Sequence, residues 1–284
     1  MEYTKGQRVR HPKMEGWGVG EVLEDSRNGV ARIFFVGAGE KSLRLDYVAP
    51  VLVTGDEASH ELLDNLRIKS SKTLEKYKSL PDSIETFLSQ FPGGFYGEKF
   101  YDEERGYKEK ASALARETLS EGALNPGIQQ EDYAELCRSA MRVIAATNLV
   151  FPNEKMALKD GLQSRANQQL FVERLYALLY GEEGLSSRFE AFCRCLETLG
   201  AAKWTTATYF PFLVHSETSM FIKPTITQHA AEICRFEINY QPQLNWLTYK
   251  SVLDFSNTIK VEIAELEPRD MIDVQSFMWC ISPH

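Results

Sequence analysis

Val9–Asp25, VRHPKMEGWGVGEVLED, puts a basic, glycine-spaced ribbon with one tryptophan near the front of an acidic chain. Val9 stands between two arginines, and Pro12 stops the short alternating run. Beyond the glycines, Val19, Glu21, Leu23 and Asp25 fall on one side of an extended strand. Gly20, Val22 and Glu24 fall on the other, the period of two that a strand imposes. Gly16, Gly18 and Gly20 sit where a strongly bent strand needs bulges or positive φ. A phosphate-cradling loop is the rival reading of this spacing. Such loops follow a strand and open a helix, whereas these glycines open a strand.

Asn28-Gly29 follows, a strong two-residue hairpin signal because both residues tolerate positive φ. Next, Val30, Arg32, Phe34 and Val36 alternate with Ala31, Ile33 and Phe35. This alternation predicts Val22, Ile33 and Phe35 inside and Phe34 on the surface. KSLRL (41–45) makes a fourth strand, and DYVAP (46–50) closes the unit. Five short strands with regularly spaced turns predict a small β-barrel over residues 1–53. His11, ahead of a proline, reads as support for the first turn.

The residues Gly6, Val9, His11, Pro12, Gly18, Gly20, Val22, Ile33, Phe35, Gly39, Lys41, Leu43 and Leu45 carry a resemblance. In that pattern a G-x-x-V-x-H-P start leads to a G-x-G-x-V strand, a hairpin, an aromatic strand and G-x-K-x-L. It resembles the Tudor-like (SH3-like) barrel of UvrD-type helicases, CarD-type transcription regulators and transcription–repair coupling factor. The resemblance implies a protein-docking module with RNA polymerase as partner. It covers about a sixth of the chain. Met14-Glu15 is an insertion relative to it, and no helicase motif accompanies it.

Residues 54–80 are polar and helix-prone, a predicted connecting helix, and residues 81–284 predict an α-helical domain. The class is therefore α+β, a small N-terminal five-stranded barrel before a larger helical domain. Asp82-x-x-Glu85 reads as a capping box, with Ile84, Phe87, Leu88 and Phe91 on one face. Tyr133, Leu136, Cys137, Ala140, Met141 and Ile144 mark a buried face, as do Phe171, Leu175, Leu178 and Leu179 before Gly181. After KWTTATYFPFLVHSETSMFIKPTITQ (203–228), helices are predicted around Gln228–Arg235 and over Thr248–Leu266, the latter ended by Pro268. The last eighty residues also resemble uncharacterised bacterial proteins, a likeness that implies no activity.

The 284 residues carry 32 Lys and Arg against 40 Asp and Glu, a net charge of −8. The first fifty residues are nearly neutral, so the acidity belongs to the helical part. Wholesale binding of nucleic acid needs clustered cations, which leaves at most local, weak contact. No run approaches a spanning helix, and the start lacks the apolar segment of a signal peptide. These features predict a cytoplasmic protein without a membrane association, and its five cysteines predict reduced thiols.

Signals of chemistry are few. Cys193-Arg194-Cys195 is the one close cysteine pair, about 200° apart on a helix, so one should face the core and the other not. No H-E-x-x-H, G-x-S-x-G or phosphate-loop motif occurs. Pro81-Asp82 and Glu98-Lys99 lack the spacing of a nuclease. EPRDMIDVQSFMWC (267–280) offers Arg269, Asp270, Asp273 and Gln275 for a polar pocket beside Trp246 and Trp279. A capped helix start with Asp270 as N-cap is the simpler reading. Lys223 and Thr225, ahead of a helix, could seat an anion. No metal or other cofactor is expected.

Two functions of different class follow. The first is a non-enzymatic adaptor docking a protein through Arg8, Arg10, Lys13, Trp17, Phe34 and Lys41, because Trp and Arg carry interface energy. Its partner would be RNA polymerase or a repair or defence protein. The alternative is an enzyme or nucleic-acid-processing component of a phage-defence or restriction system. That reading requires Lys223, Thr225, Arg269, Asp270 and Asp273 to converge in one cleft.

Overall fold

The computed structural model describes residues 2–66 and 79–283. Strands β1 (Arg8–Arg10), β2 (Val19–Val22), β3 (Val30–Phe35), β4 (Gly39–Arg44) and β5 (Val51–Leu52) form one sheet. Each pairing is antiparallel and the order is β4-β3-β2-β1-β5. The Asn28-Gly29 turn forms with φ of 51° and 73°. Around it, Arg27 and Val30 exchange backbone hydrogen bonds of 3.0 and 2.9 Å. No atom lies within 4 Å of a Cβ built on Gly29, so a side chain there meets only backbone strain. Gly29→Val should therefore cost about 1–3 kcal/mol. A chemical-denaturation midpoint equal to that of the parent chain would sink this assignment.

The closing strand is not DYVAP. Tyr47 and Val48 both donate to the Arg44 carbonyl at 3.0 Å, making a turn, and Val51–Leu52 pairs with β1. Pro50 has no N–H for a ladder, and its carbonyl instead accepts the Tyr3 hydroxyl at 2.6 Å.

The sheet buries both faces. Val9, Val22, Ala31, Ile33, Phe35 and Leu43 enclose a small core with Tyr3 and Ala38. Val19, Leu23 and Phe34, from the opposite face, join the core of the helical body. Alternation sorted the two faces correctly, but Phe34 is 2% exposed. It is a correction to the expectation of a surface anchor: the body covers that face, with Phe236 edge-on to Phe34 at 5.2 Å.

Of the predicted connecting helix, residues 67–78 lie outside the described residues. Over 54–66 there are a 3-10 turn (Gly55–Ala58) and the single-turn helix α1 (Glu61–Asp64). Helix α2 (Leu80–Gln90) follows, then α3 (Glu98–Phe100), whose π-helical turn Tyr101–Arg105 runs into α4 (Gly106–Thr118). The capping box is Ser79 with Asp82, three residues before the predicted pair, because the helix starts ahead of Pro81. Helices α5 (Glu121–Gln129), α6 (Tyr133–Ala145), α7 (Pro152–Gly161), α8 (Arg165–Tyr180) and α9 (Leu185–Thr198) come next. The chain then forms α10 (Trp204–Val214), α11 (Pro224–Ile233), α12 (Trp246–Glu262) and α13 (Met271–Ile281).

Every residue of α10 is buried, which is why its sequence carries no amphipathic period. Two of its three threonines satisfy their hydroxyls: Thr205 donates to Glu154 at 2.9 Å, and Thr208 is bonded twice, while the buried Thr206 hydroxyl has no partner among the described residues. Thr208 donates to the Trp204 carbonyl at 2.7 Å and accepts Ile222 N–H at 2.9 Å. Helix α9 lies between α8 and the pair α10 and α12, so Cys193 and Cys195 are both buried. The exposed stripe of α9 is narrow, Ser187, Glu190, Arg194 and Glu197, so, against the 200° expectation, its buried face is wide enough to take a cysteine at each of its edges. Phe87, Phe95, Phe100 and Phe277 lock α2, α3 and α13 together, with rings 5.0–5.8 Å from Phe87. That aromatic block fixes the π-turn against the start of α13.

Candidate functional site

Four of the six expected docking residues are already engaged within the chain. Arg8 pairs with Glu21 at 3.1 Å and Asp64 at 3.0 Å. Phe34 is buried, and Lys41 pairs with Glu262 on α12 at 2.9 Å. Trp17 is half-buried: its ring lies 4.7 Å from His11 and 5.2 Å from Phe35, with the Lys41 ammonium 5.7 Å away. His11 Nδ1 accepts the backbone N–H of Lys13 and Met14 at 3.2 and 3.0 Å, so it holds the turn that carries Trp17. Arg10 and Lys13 are exposed and enter no ion pair among the described residues.

The two edges of the sheet differ. At the β4 edge, Glu40 N–H donates to the Arg235 carbonyl at 3.0 Å, and Lys41 ties the same edge to α12. This approach is close enough to require glycine: Gly39 has φ of 66°, and a Cβ there would stand 3.1 Å from the Arg235 oxygen. Among the described residues the β5 edge has no further strand beside it. Val51 and Leu52 are each 55% exposed, and Tyr47 before them 73%. Arg10 is the cross-strand partner of Val51. Sequence reasoning missed Val51 and Leu52 because it closed the unit one turn early.

The polar residues proposed for a pocket do not meet. Arg269, Asp270 and Asp273 belong to a buried ion network completed by Arg105, a residue that no sequence motif singles out. Arg105 donates to Asp270 at 2.9 and 3.0 Å and to Asp273 at 2.8 Å. Arg269 donates to Asp273 at 2.8 and 3.0 Å and to the Phe95 carbonyl at 2.6 Å. Asp270 caps α13, accepting Ile272 and Asp273 N–H at 3.0 and 3.3 Å. One turn further in, Lys108 reaches Ser276 at 2.7 Å and Glu104 at 3.3 Å.

Burial works against charge on Arg105 and Asp270, but their mutual hydrogen bonds and attraction outweigh it. The Arg105 pKa is raised and the Asp270 pKa lowered. For Lys108 burial prevails and lowers the pKa, although Glu104 opposes it. Asp273 is fully buried with its oxygens shared by two arginines. This network clamps the π-turn onto α13; it presents no open reacting group.

Lys223 stands at the other end of α13. Its ammonium lies 4.5 Å from the centre of the Trp279 ring and 5.2 Å from that of Phe151. Burial lowers its pKa, against the pull of Glu154. Trp279 is nine residues after Asp270, about 13 Å along the axis. Thr225 is exposed in the first turn of α11. Trp246 packs on Phe189 and Tyr249, so it borders neither group.

All five cysteines are free thiols. Burial pushes Cys137, Cys193, Cys234 and Cys280 up to about 12 and Cys195 to about 11, far from the thiolate range of reactive cysteines. Alkylation of native protein at pH 8 should be slow, whereas an Ellman assay in denaturant should count close to five. Rapid native labelling of any one cysteine would overturn that reading. Among the described residues no group of three or more His, Cys, Asp and Glu side chains could hold a metal ion. No described helix is long and apolar enough to cross a membrane.

No curated protein and no solved structure matches the chain significantly. Residues 3–53, the sheet with its flanking turns, match a family described as "Protein of unknown function (DUF3553)".

Proposed function

We propose that the chain is a non-enzymatic adaptor that offers the open β5 edge to an extended segment of a protein partner. The observation carrying this reading is the asymmetry of the sheet: the body covers the β4 edge, while β5 has, among the described residues, an unpaired backbone edge and two exposed apolar side chains. An unpaired edge is a template for strand addition. Natural sheets usually blunt such an edge with charge, proline or cover, and Val51-Leu52 has none of these on its own side chains. Arg10 and Lys13 are the expected docking residues still available to add polar contacts. Trp17 shapes the turn that carries Lys13.

The resemblance to Tudor-like barrels nominates RNA polymerase as the first partner to test, and transcription or DNA-repair machinery more broadly. The enzyme reading has no comparable support, since its five residues divide between a buried ion network and a distant helix end. Contact with nucleic acid is local and weak at most.

Removing residues 1–53 is a poor test, because it strips Val19, Leu23 and Phe34 from the body's core. Leu52→Pro is better. Val53 N–H donates inward to Arg8 at 2.9 Å, so strand alternation turns the Leu52 N–H outward, and proline removes that donor. Binding of the full-length protein to purified RNA polymerase should weaken by about 2 kcal/mol or more, the scale of an interface anchor. Arg10→Ala should weaken it less. If polymerase does not bind, the same comparison applies to proteins co-purified from the native host. Retention of every partner by Leu52→Pro, with unchanged affinity, would retire the edge-docking role.

A further inference from the structure

A second surface lies on the helical body, lined by no residue of the sheet, and does not depend on the β5 reading. Between α6 and the end of α7 runs a groove of about 720 Å³. Ala134, Met141 and Ala145 line one wall and Leu162 the floor opposite. From Ala134 to Ala145 the wall is about 16 Å long at 1.5 Å per residue, the length of three helical turns. Small alanines make the hollow, and Met141 can adjust to what enters it.

Its rim is basic in an acidic body. Residues 51–284 carry 24 Lys and Arg against 33 Asp and Glu, yet the groove places Arg138, Arg142 and Lys159 against Glu135 alone. Glu135 accepts Arg138 at 2.8 Å and stands 3.9 Å from Arg142, so one carboxylate serves two guanidiniums. Lys159 enters no ion pair among the described residues. A purely solubilising surface on this body would follow its acidic average. We infer that this groove docks an acidic amphipathic helix of a partner protein, its apolar stripe on Met141 and Leu162 and its carboxylates on the basic rim. Such helix-in-groove binding uses anchors spaced over a few turns. Phosphate backbone is the poorer fit, because three cations with an apolar floor and no aromatic platform give few contacts.

The probe is a random peptide library of about 16 residues, a little over four turns, panned on immobilised full-length protein. Expected winners carry an apolar stripe at i, i+4 and i+7 flanked by Asp and Glu. A labelled winner should bind the Arg138→Glu/Arg142→Glu chain at least about tenfold more weakly, and lysines in place of its acids should restore binding. Met141→Glu should also abolish it. Circular dichroism should be unchanged, since both arginines are exposed. No enrichment over a blank surface, or winners indifferent to charge reversal, would overturn the inference. So would a DNA duplex that displaces the peptide and itself loses binding in the reversed chain.

Discussion

Asp273→Ala should destabilise the helical body by about 3–5 kcal/mol, the cost of removing one partner from a buried ion network. Asp273 is fully buried and binds two arginines. Without it, Arg269 loses its carboxylate, and Arg105, 5% exposed, keeps Asp270 and the more distant, half-exposed Glu109 at 3.9 Å. Arg105 Nε already lacks a hydrogen-bond partner among the described residues, so this guanidinium has little reserve. The penalty comes from stranding charge, not from losing a favourable pair, because ion pairs in low dielectric roughly offset their own desolvation. Asp273→Asn keeps the shape and one acceptor but removes the charge, so it should fall between parent and alanine. Acid gives a second handle. The Asp270 pKa is lowered in the fold, so its contribution is complete above the ordinary carboxylate value near 4. That contribution disappears as pH falls through the lower folded value. Urea denaturation followed by circular dichroism measures both effects. A loss under about 1 kcal/mol for Asp273→Ala would mean that water reaches the guanidiniums and that the clamp is not sealed.

How much of this was legible in the sequence depends on what each residue faces. Strand alternation identified the two sides of β3 correctly, because the pleat is a local property of the backbone. It could not name what covers each side. Phe34 and Phe35 are equally apolar, and only the position of Phe236, three residues past the end of α11, decides that Phe34 is inside as well. The same blindness hid α10. A helix buried all round has no polar face, so TTATYFPFLV gives no period to read. Arg105 was invisible for a related reason: it follows three acids in a run that looks like a solvated helix start. Its partners lie 165 and 168 residues away in sequence. The Asp270 cap and the Asn28-Gly29 turn, by contrast, are local signals, and both stand where the sequence placed them. Pro50 carried the hint that DYVAP is not a central strand, and Val51-Leu52 beyond it was the strand.

Phe34→Ala should cost about 3–5 kcal/mol, as for other large-to-small changes at buried phenylalanines, and the loss should appear at the junction between sheet and body. The ring is packed edge-on against Phe236, which in turn stands 5.2 Å from Phe255 on α12. The ion pair on that side, Lys41–Glu262, leaves its two side chains 30% and 38% exposed, and such pairs contribute about 0–1 kcal/mol. The aromatic contact therefore dominates the junction. An exposed docking anchor would behave in the opposite way, since truncating it would leave folding intact and weaken only partner binding. Two measurements separate these cases. Denaturant unfolding gives the stability change, and hydrogen exchange shows where protection falls. Exchange should rise in β4 and around Arg235, whose carbonyl holds the Glu40 N–H, while the aromatic block around Phe87 stays protected. A change below about 0.5 kcal/mol, the range of ordinary surface substitutions, would return Phe34 to the surface and reopen that face to a partner. The size of the expected loss also determines how binding data are to be read. Weaker partner binding by Phe34→Ala would report a loosened sheet, whereas weaker binding by Leu52→Pro with the junction still protected would report the edge itself.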